Sequence, residues 1–174
     1  MKQNKLLLLG AICMSIAGAS IAAAPAAPAP APAPAPAHKH EHGAATSTPA
    51  ATLQLNAGRK WETDAPLRQA MASIRQEMAA ALHDIHENRL SANGYGKLAQ
   101  KVETEVGNMI ANCKLGTQAD EQLHIVITDL LGGAERMAGK VKGAKRQNGA
   151  VQVIGALEKY ATYFDDAGFK PIEH

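Results

Sequence analysis

The chain has 174 residues, of which 18 are Lys or Arg and 16 are Asp or Glu, so its formal net charge is only +2. Lys2 and Lys5 supply that excess and lie in a segment that we expect to be removed, which leaves a balanced body and argues against nucleic acid as a partner. With one Trp, three Tyr and two Phe, the chain is poor in aromatic residues, and this composition favours an all-α fold over a sandwich or barrel.

Residues 1–24 have the pattern of a secretory signal peptide. Lys2 and Lys5 precede an apolar stretch from Leu6 to Ile21, and alanines follow at the expected cleavage zone. The residue before Cys13 is a large aliphatic one, whereas a lipid-modification signal needs a small one, so we do not expect lipid attachment. We predict a periplasmic or secreted protein without a membrane span, in which Cys113 is the one remaining cysteine.

Residues 25–52 are predicted to form a disordered tether. Its first part, "PAAPAPAPAPAPA", favours extended polyproline geometry and a semi-rigid spacer of roughly 40 Å. The run "HKHEH" follows, and its imidazoles at His38, His40 and His42 are suited to weak collection of Cu(II), zinc or nickel. The alternative interpretation is a solvated linker without a ligand.

Two helices are predicted in the first half of the domain 53–174. The first has Thr63 or Asp64 as its N-cap and Pro66 in its first turn, ahead of an apolar stripe with helical spacing. The second is capped by Ser91 and ends before Gly116. Their inner faces are predicted to carry Leu67, Met71, Ile74, Met78, Leu82 and Ile85 in the first helix, and Tyr95, Leu98, Val102, Val106, Met109 and Cys113 in the second.

Two further helices complete the predicted domain. "TQAD" at Thr117 is typical of an Asp variant of the capping box and predicts the start of the third helix. The fourth is predicted from about Ala150, after the Gly- and Lys-rich segment "GKVKGAKRQNG". The expected architecture is an up-down-up-down four-helix bundle. The sequence carries no Gly-rich phosphate loop or nucleophile elbow, so we predict no enzymatic activity.

One end of this bundle is predicted to gather soft metal ligands. In two neighbouring antiparallel helices, residues that are equally far along the chain from the connecting turn lie at the same level. This counting places four possible ligands within about two helical turns of one another, or roughly 11 Å along the bundle axis: Met71, Met109, Cys113 and His124. Thioether, thiolate and imidazole ligands suit copper, especially Cu(I), with zinc as the second choice. The alternative is that the methionines and the cysteine only fill the core.

Three other features have weaker interpretations. His83 and His86 are three residues apart on the first helix, a spacing that suits one metal ion but is also common at helix ends. The basic loop with Lys140, Lys142, Lys145 and Arg146 is suited to contact with anionic lipid or another protein, but four charges spaced by glycines are more typical of a solvated connection. Trp61 precedes the first helix and is expected to cover one end of the core.

The start of the first helix, "TDAPLRQAMASIRQEM", resembles the cytochrome b562 family at the level of fold. That family holds haem between a Met early in its first helix and a His late in its last, and Met71 matches the first of these positions. The last helix, "GALEKYATYFDDAGF", has no histidine and carries Tyr160 and Tyr163 where one is needed. This departure argues against a haem protein of that type.

The segments "LNAGRKWETDAPLRQAM", "NCKL", "ADEQLH" and "YFDDAGFKP" are similar to a group of small exported bacterial proteins labelled DnrO-like, over nearly all of residues 53–171. This resemblance implies an exported helical protein and no established activity. From the residues themselves we predict that the protein binds or buffers copper. The competing hypotheses are a metal-free structural or stress-response protein of the envelope with a protein partner, and a haem carrier.

Overall fold

The computed structural model describes residues 52–173. The predicted signal peptide and nearly all of the tether, with His38, His40 and His42, lie outside the described residues. Within 52–173 the chain is all-helical apart from isolated bridges, Asn56 with Arg59 and Trp61 with Phe164. None of the helices in this part is long and apolar enough to cross a membrane. The helices are α1 Ala65–His86, α2 Ala92–Asn112, α3 Thr117–Ala138 and α4 Arg146–Tyr163.

The first two helices begin at the predicted caps. The Asp64 side chain accepts a hydrogen bond from the backbone N–H of Leu67, and Pro66 occupies the first turn of α1. Ser91 caps α2 in the same way, since its hydroxyl accepts from the backbone N–H of Gly94 at 3.1 Å. Each cap satisfies an N–H group that has no partner inside the helix, which fixes the first residue of each helix.

The starts of α3 and α4 differ from the prediction in detail. Thr117 is the first helical residue of α3, with Gly116 as the N-cap, so the expected capping box does not form. The fourth helix begins at Arg146, one turn before the predicted Ala150. Its N-cap is Lys145, and no side chain accepts from the N–H groups of its first turn. The prediction for α4 was wrong because Lys145 is not a typical capping residue and Gly149 is unfavourable inside a helix.

The four helices enclose one hydrophobic core, and α3 and α4 approach each other most closely. Each helix packs against the next along the chain, and α1 also contacts α4. Gly133 and Gly149 face each other where α3 crosses α4, and a Cβ atom built on Gly149 would lie only 2.5 Å from the carbonyl oxygen of Gly133. The backbones can meet there because neither residue has a side chain.

Contacts between helix termini define two ends of the folded body. At the end that we call the Asp64 end, α1 begins where α2 ends, because Asp64 accepts a hydrogen bond from the backbone of Lys114 at 2.7 Å. At the end that we call the Tyr95 end, α4 begins where α1 ends, because Gln147 donates to the carbonyl oxygen of Ile85 at 2.8 Å. The candidate ligands lie at the Asp64 end.

Aromatic residues and the C-terminal segment cover the Asp64 end of the core. Trp61 is 9% exposed, and its backbone N–H donates to the carbonyl oxygen of Tyr163 at 2.8 Å. The buried ring of Tyr160 stacks on Phe164 at 5.4 Å between centroids and meets the edge of Phe169 at 4.9 Å. The prediction that Trp61 covers one end of the core is confirmed.

Candidate metal centre

Asp64 joins the start of α1 to the connection between α2 and α3. Its Oδ1 atom accepts from the backbone N–H of Leu67 at 3.0 Å, and its Oδ2 atom accepts from that of Lys114 at 2.7 Å. Both bonds use the ionised carboxylate, so they favour its charged form. One side chain therefore fixes both the first turn of α1 and the backbone beside Cys113.

The pKa of Asp64 results from opposing effects. Burial by itself raises the pKa of this carboxyl group, but the hydrogen bonds from Lys114 and Leu67 lower it. The thiol of Cys113 and the charge on Arg68 act in the same direction, so the pKa of Asp64 is lower than its usual value. A carboxylate is therefore present at the Asp64 end throughout the neutral range.

Cys113 lies one residue beyond α2, at the edge of the core. Its backbone is extended, and its N–H donates to the carbonyl oxygen of Met109 at 2.9 Å. The side chain is half-buried and packs against the core. Burial is the largest cause that raises the pKa of the thiol, and together with the carboxylates of Asp64, which accepts its hydrogen bond, and of Asp120 it brings the pKa to about 12. At neutral pH the group is a protonated thiol.

Met71 and Met109 are core residues, with 0% and 1% of their surface exposed. They lie on adjacent packed helices. Met71 is seven residues beyond Asp64 and Met109 is five residues before Lys114. At about 1.5 Å of rise per residue, the two methionines lie about 10 and 8 Å inside the body from the Asp64 end. The prediction that the two thioethers lie at a similar depth in the bundle is therefore consistent with the contacts between α1 and α2.

His124 does not share the environment of the two methionines. Its side chain is 66% exposed, whereas theirs are buried in the core. The ring Nδ1 atom lies 2.8 Å from the backbone oxygen of Asp120, one turn earlier in α3, and 3.5 Å from the Oδ2 atom of the same residue. The imidazole therefore lies along the surface of α3 and not in the core with the thioethers.

The described part of the chain holds no preformed metal centre of the common type. Between residues 52 and 173, no three side chains of His, Cys, Asp or Glu are grouped so that they could hold one ion. His83 and His86 are both exposed at the C-terminal end of α1. The prediction that these two histidines form a second site stays a prediction.

Two carboxylates that sequence reasoning did not include surround the predicted cysteine. Asp64 was identified only as a helix cap, whereas counting from the turn near Gly116 also places Asp120 level with Cys113. In the structure both act on the Cys113 thiol, and Asp120 also lies against the ring of His124. Turn counting therefore contained a signal for Asp120, but the position of Asp64 ahead of an apolar stripe does not predict contact with a cysteine.

The place where a haem-binding histidine would be needed is filled by aromatic residues. The hydroxyl group of Tyr160 donates to the Oδ2 atom of Asp166 at 2.9 Å, and its ring is completely buried. Tyr163 lies at the end of α4 and is half-buried against the core. The absence of a histidine from α4, noted in the sequence, leaves these tyrosines as packing residues.

Replacing Asp64 with Ala is expected to lower the free energy of unfolding by about 2 kcal/mol at neutral pH, because one helix cap and one further hydrogen bond are lost. The lowered pKa of Asp64 adds a pH dependence. The contribution of the Asp64 carboxylate to stability is present above about pH 3.9, the pKa of an aspartate in the unfolded chain. It is lost as the pH falls through the lower pKa that Asp64 has in the folded protein. Urea denaturation at a series of pH values measures both effects.

The matched control for this variant is Asp165→Ala, which removes an exposed carboxylate at the same end. It is expected to change stability by less than about 0.5 kcal/mol. If Asp64→Ala differs from the unmodified protein as much at pH 2 as at pH 7, the hydrogen bonds to the charged carboxylate are not the source of the stability.

Comparison of the chain with protein families, with curated proteins and with solved structures finds no match in any of the three.

Proposed function

We propose that the protein is an exported four-helix bundle of up-down-up-down topology that binds a soft transition metal, Cu(I) first and zinc second, at its Asp64 end. The proposal is supported by the positions of three sulfur-containing residues along α1 and α2. Two buried thioethers, of Met71 and Met109, lie on adjacent helices, and the Cys113 thiol follows Met109 by one turn. Soft sulfur ligands favour Cu(I) over hard cations.

The charges around Cys113 support a cation at this place. The carboxylates of Asp64 and Asp120 raise the pKa of the thiol because they oppose a second negative charge beside them. The same carboxylates favour a bound cation, whose charge offsets theirs and allows the thiol to lose its proton to the solvent. In the proposed complex Cys113 is a thiolate ligand, while Asp64 keeps its hydrogen bonds to the backbone.

His124 is the proposed fourth ligand, and it binds from the surface side. Its ring lies against Asp120, whose charge also acts on the thiol. A change of rotamer is needed to turn the imidazole towards Cys113, at a cost that metal binding must exceed. His38, His40 and His42 remain in the proposal as a separate, weak collecting arm for Cu(II), zinc or nickel.

A competitive Cu(I) titration of the full chain tests the proposal. Met109→Leu and Cys113→Ala are each expected to weaken Cu(I) binding more than about tenfold, since each removes a ligand. Leucine nearly conserves the volume of methionine, so the fold is preserved. The matched control is Met137→Leu, which changes an equally buried methionine near the C-terminal end of α3 and leaves the affinity unchanged.

A variant with alanine at residues 38, 40 and 42 separates the collecting arm from the bundle. On the proposal it binds Cu(I) as tightly as the unmodified chain and loses only the weak binding of Cu(II), zinc or nickel. Equal affinities for the unmodified chain, Met109→Leu and Cys113→Ala would refute the site at the Asp64 end.

The second candidate is a metal-free helical protein whose role is to bind a protein partner of the cell envelope. The surface position of His124 favours this alternative, because the imidazole makes its contact with Asp120 without a metal. On this account Met71, Met109 and Cys113 only pack, and Cys113→Ala costs about 1 to 2 kcal/mol of stability without a change in Cu(I) binding. The titration above distinguishes the two candidates.

A further inference from the structure

A groove of about 760 Å³ runs along α1 and has the C-terminal segment as its other wall. Its volume is within the range of ligand-binding sites in proteins. The lining residues of α1 share one face of the helix, and those of the other wall lie within residues 166–170. Three of the lining side chains are basic and one is acidic: Arg68, Arg75, Lys170 and Asp166.

The pair Arg-Gln occurs twice on this face of α1, seven residues apart in "LRQAMASIRQEM". Seven residues make about two helical turns, so Arg75 and Gln76 lie about 10.5 Å further along the axis than Arg68 and Gln69. Ala72 lies between the two pairs and also lines the groove. Its side chain is only a methyl group, which leaves the space between the two arginines open.

Both arginines are held in position by bonds that use only part of each guanidinium group. The Nε atom of Arg75 donates to the carbonyl oxygen of Lys170, which leaves its two Nη atoms for a ligand. The Nη1 atom of Arg68 donates to the backbone oxygen of Thr63 at 2.8 Å and to its hydroxyl oxygen at 3.1 Å. Side chains that are already ordered lose less entropy when a ligand binds.

The groove does not neutralise its own positive charge. In the described part of the chain, none of its basic side chains lies within ion-pair distance of a carboxylate, and Arg68 acts on Asp64 only at longer range. Both oxygens of Asp166 are used within the protein, by the hydroxyl group of Tyr160 at 2.9 Å and the backbone N–H of Gly168 at 3.2 Å. A cationic groove of this kind attracts an anionic ligand.

Phe169 adds an apolar surface to the groove. Its ring is half-buried, meets the ring of Tyr160 at 4.9 Å and lines the groove beside Lys170. Aromatic rings in grooves are the usual contacts of peptides in polyproline geometry. The side-chain amides of Gln69 and Gln76 both donate and accept, so they suit the backbone groups of such a peptide, which are not bonded to one another.

We propose that this groove binds an acidic peptide segment of a partner protein in polyproline geometry, with two carboxylates three residues apart that meet Arg68 and Arg75. In that geometry, side chains three residues apart lie on the same side and about 9.3 Å from each other, close to the separation of the two arginines. Guanidinium groups bind carboxylates through paired hydrogen bonds. Lys170 adds a third positive charge from the opposite wall.

The shape and charge of the groove favour a peptide over other anions. One small anion does not bridge two guanidinium groups that are two helical turns apart. The donors line a groove rather than a flat surface, which favours a narrow chain over a membrane. The balanced charge of the folded body argues against nucleic acid.

NMR titration of the isotope-labelled full chain with the acetylated and amidated peptide Gly-Glu-Pro-Pro-Glu-Gly, with EDTA present, tests this site. Saturable shifts are expected for backbone N–H groups of α1 and of the C-terminal segment. Arg68→Gln and Arg75→Gln are each expected to raise the dissociation constant about tenfold, because each removes charged hydrogen bonds. Arg75→Lys is expected to restore only part of the affinity, since lysine keeps the charge but not the paired donors.

Lys170→Gln tests the opposite wall without a change in the fold, because Arg75 bonds to the backbone of this residue and not to its side chain. It is expected to raise the dissociation constant about threefold. The matched control is Arg59→Gln, which removes the same charge from an exposed arginine outside the groove and is expected to leave the affinity unchanged.

The isomeric peptide Gly-Glu-Pro-Glu-Pro-Gly tests the spacing, since its carboxylates are two residues apart and lie on different sides of a polyproline helix. It is expected to bind more than about fivefold more weakly. No saturable shift, equal affinities for the two peptides, or an equal loss in Arg59→Gln would each overturn the proposal.

Sedimentation with phosphatidylglycerol vesicles tests the membrane as the occupant. Sedimentation that is lost in Arg68→Gln and Arg75→Gln, without saturable binding of the peptide, would assign the groove to a lipid surface and overturn the proposal. None of these measurements depends on Cys113 or on copper.

Discussion

Replacing Gly149 with Ala is expected to lower the free energy of unfolding by about 3 kcal/mol. The added Cβ atom would lie 2.5 Å from the carbonyl oxygen of Gly133 and 2.6 Å from the backbone N atom of Met137. Both atoms belong to the backbone of α3, so no side-chain rotation relieves the contact. The two helices must move apart, and the core between them loses packing on both sides.

Gly155→Ala is the matched control for this variant, because it adds the same methyl group to the same helix. A Cβ atom at Gly155 meets no atom within 4 Å. There the change is expected to stabilise the protein by about 0.5 to 1 kcal/mol, since alanine favours the helix. Chemical denaturation with an unchanged m-value gives both numbers. If both variants shift stability in the same direction, the close approach of α3 and α4 is not as described.

Replacing Tyr160 with Ala is expected to have the largest effect, a loss of about 4 kcal/mol. The ring is fully buried and contacts Phe164 and Phe169, so its removal leaves a cavity beneath the C-terminal segment. The hydrogen bond from its hydroxyl group to Asp166 is lost as well. The single tryptophan, Trp61, lies at the same end of the core and reports the transition by fluorescence.

Tyr160→Phe separates packing from hydrogen bonding at this position. It keeps the ring and removes only the hydroxyl group, so the expected loss is about 1 kcal/mol. Asp166 keeps a second hydrogen bond, from the backbone N–H of Gly168 at 3.2 Å. If Tyr160→Phe is as destabilised as Tyr160→Ala, the hydrogen bond holds the C-terminal segment and the aromatic contacts contribute little.

The starts of α1, α2 and α3 were predictable from the sequence, and the start of α4 was not. Asp64 and Ser91 precede apolar stripes and cap the helices as expected. Gly149 was assigned to a loop because it ends the segment "KRQNG", and glycine is unfavourable inside a helix. In the structure this glycine is needed because another helix backbone lies against it. Such a contact joins residues distant in the chain, so no local pattern predicts it.

The sequence predicted how far along each helix the candidate ligands lie, but not the direction in which each side chain points. Counting from the turns places Met71 and Met109 at similar levels, and both are buried as the periodicity predicts. The same counting cannot tell which side of α3 faces the core. His124 follows the buried Leu123 and itself lies at the surface. The position of the Asp64 carboxylate near Cys113 depends on a contact between the start of α1 and the end of α2, which spacing within one helix does not encode.

The neighbours of Cys113 have a consequence for its reactivity. Reagents that attack sulfur react with the thiolate, and a pKa of about 12 leaves only about one molecule in 10⁵ in that form at pH 7. An ordinary cysteine has a few per cent thiolate under the same conditions. Disulfide exchange and oxidation to sulfenic acid are slowed accordingly. Burial and the two carboxylates therefore together protect this cysteine chemically, even though its side chain is partly open to solvent.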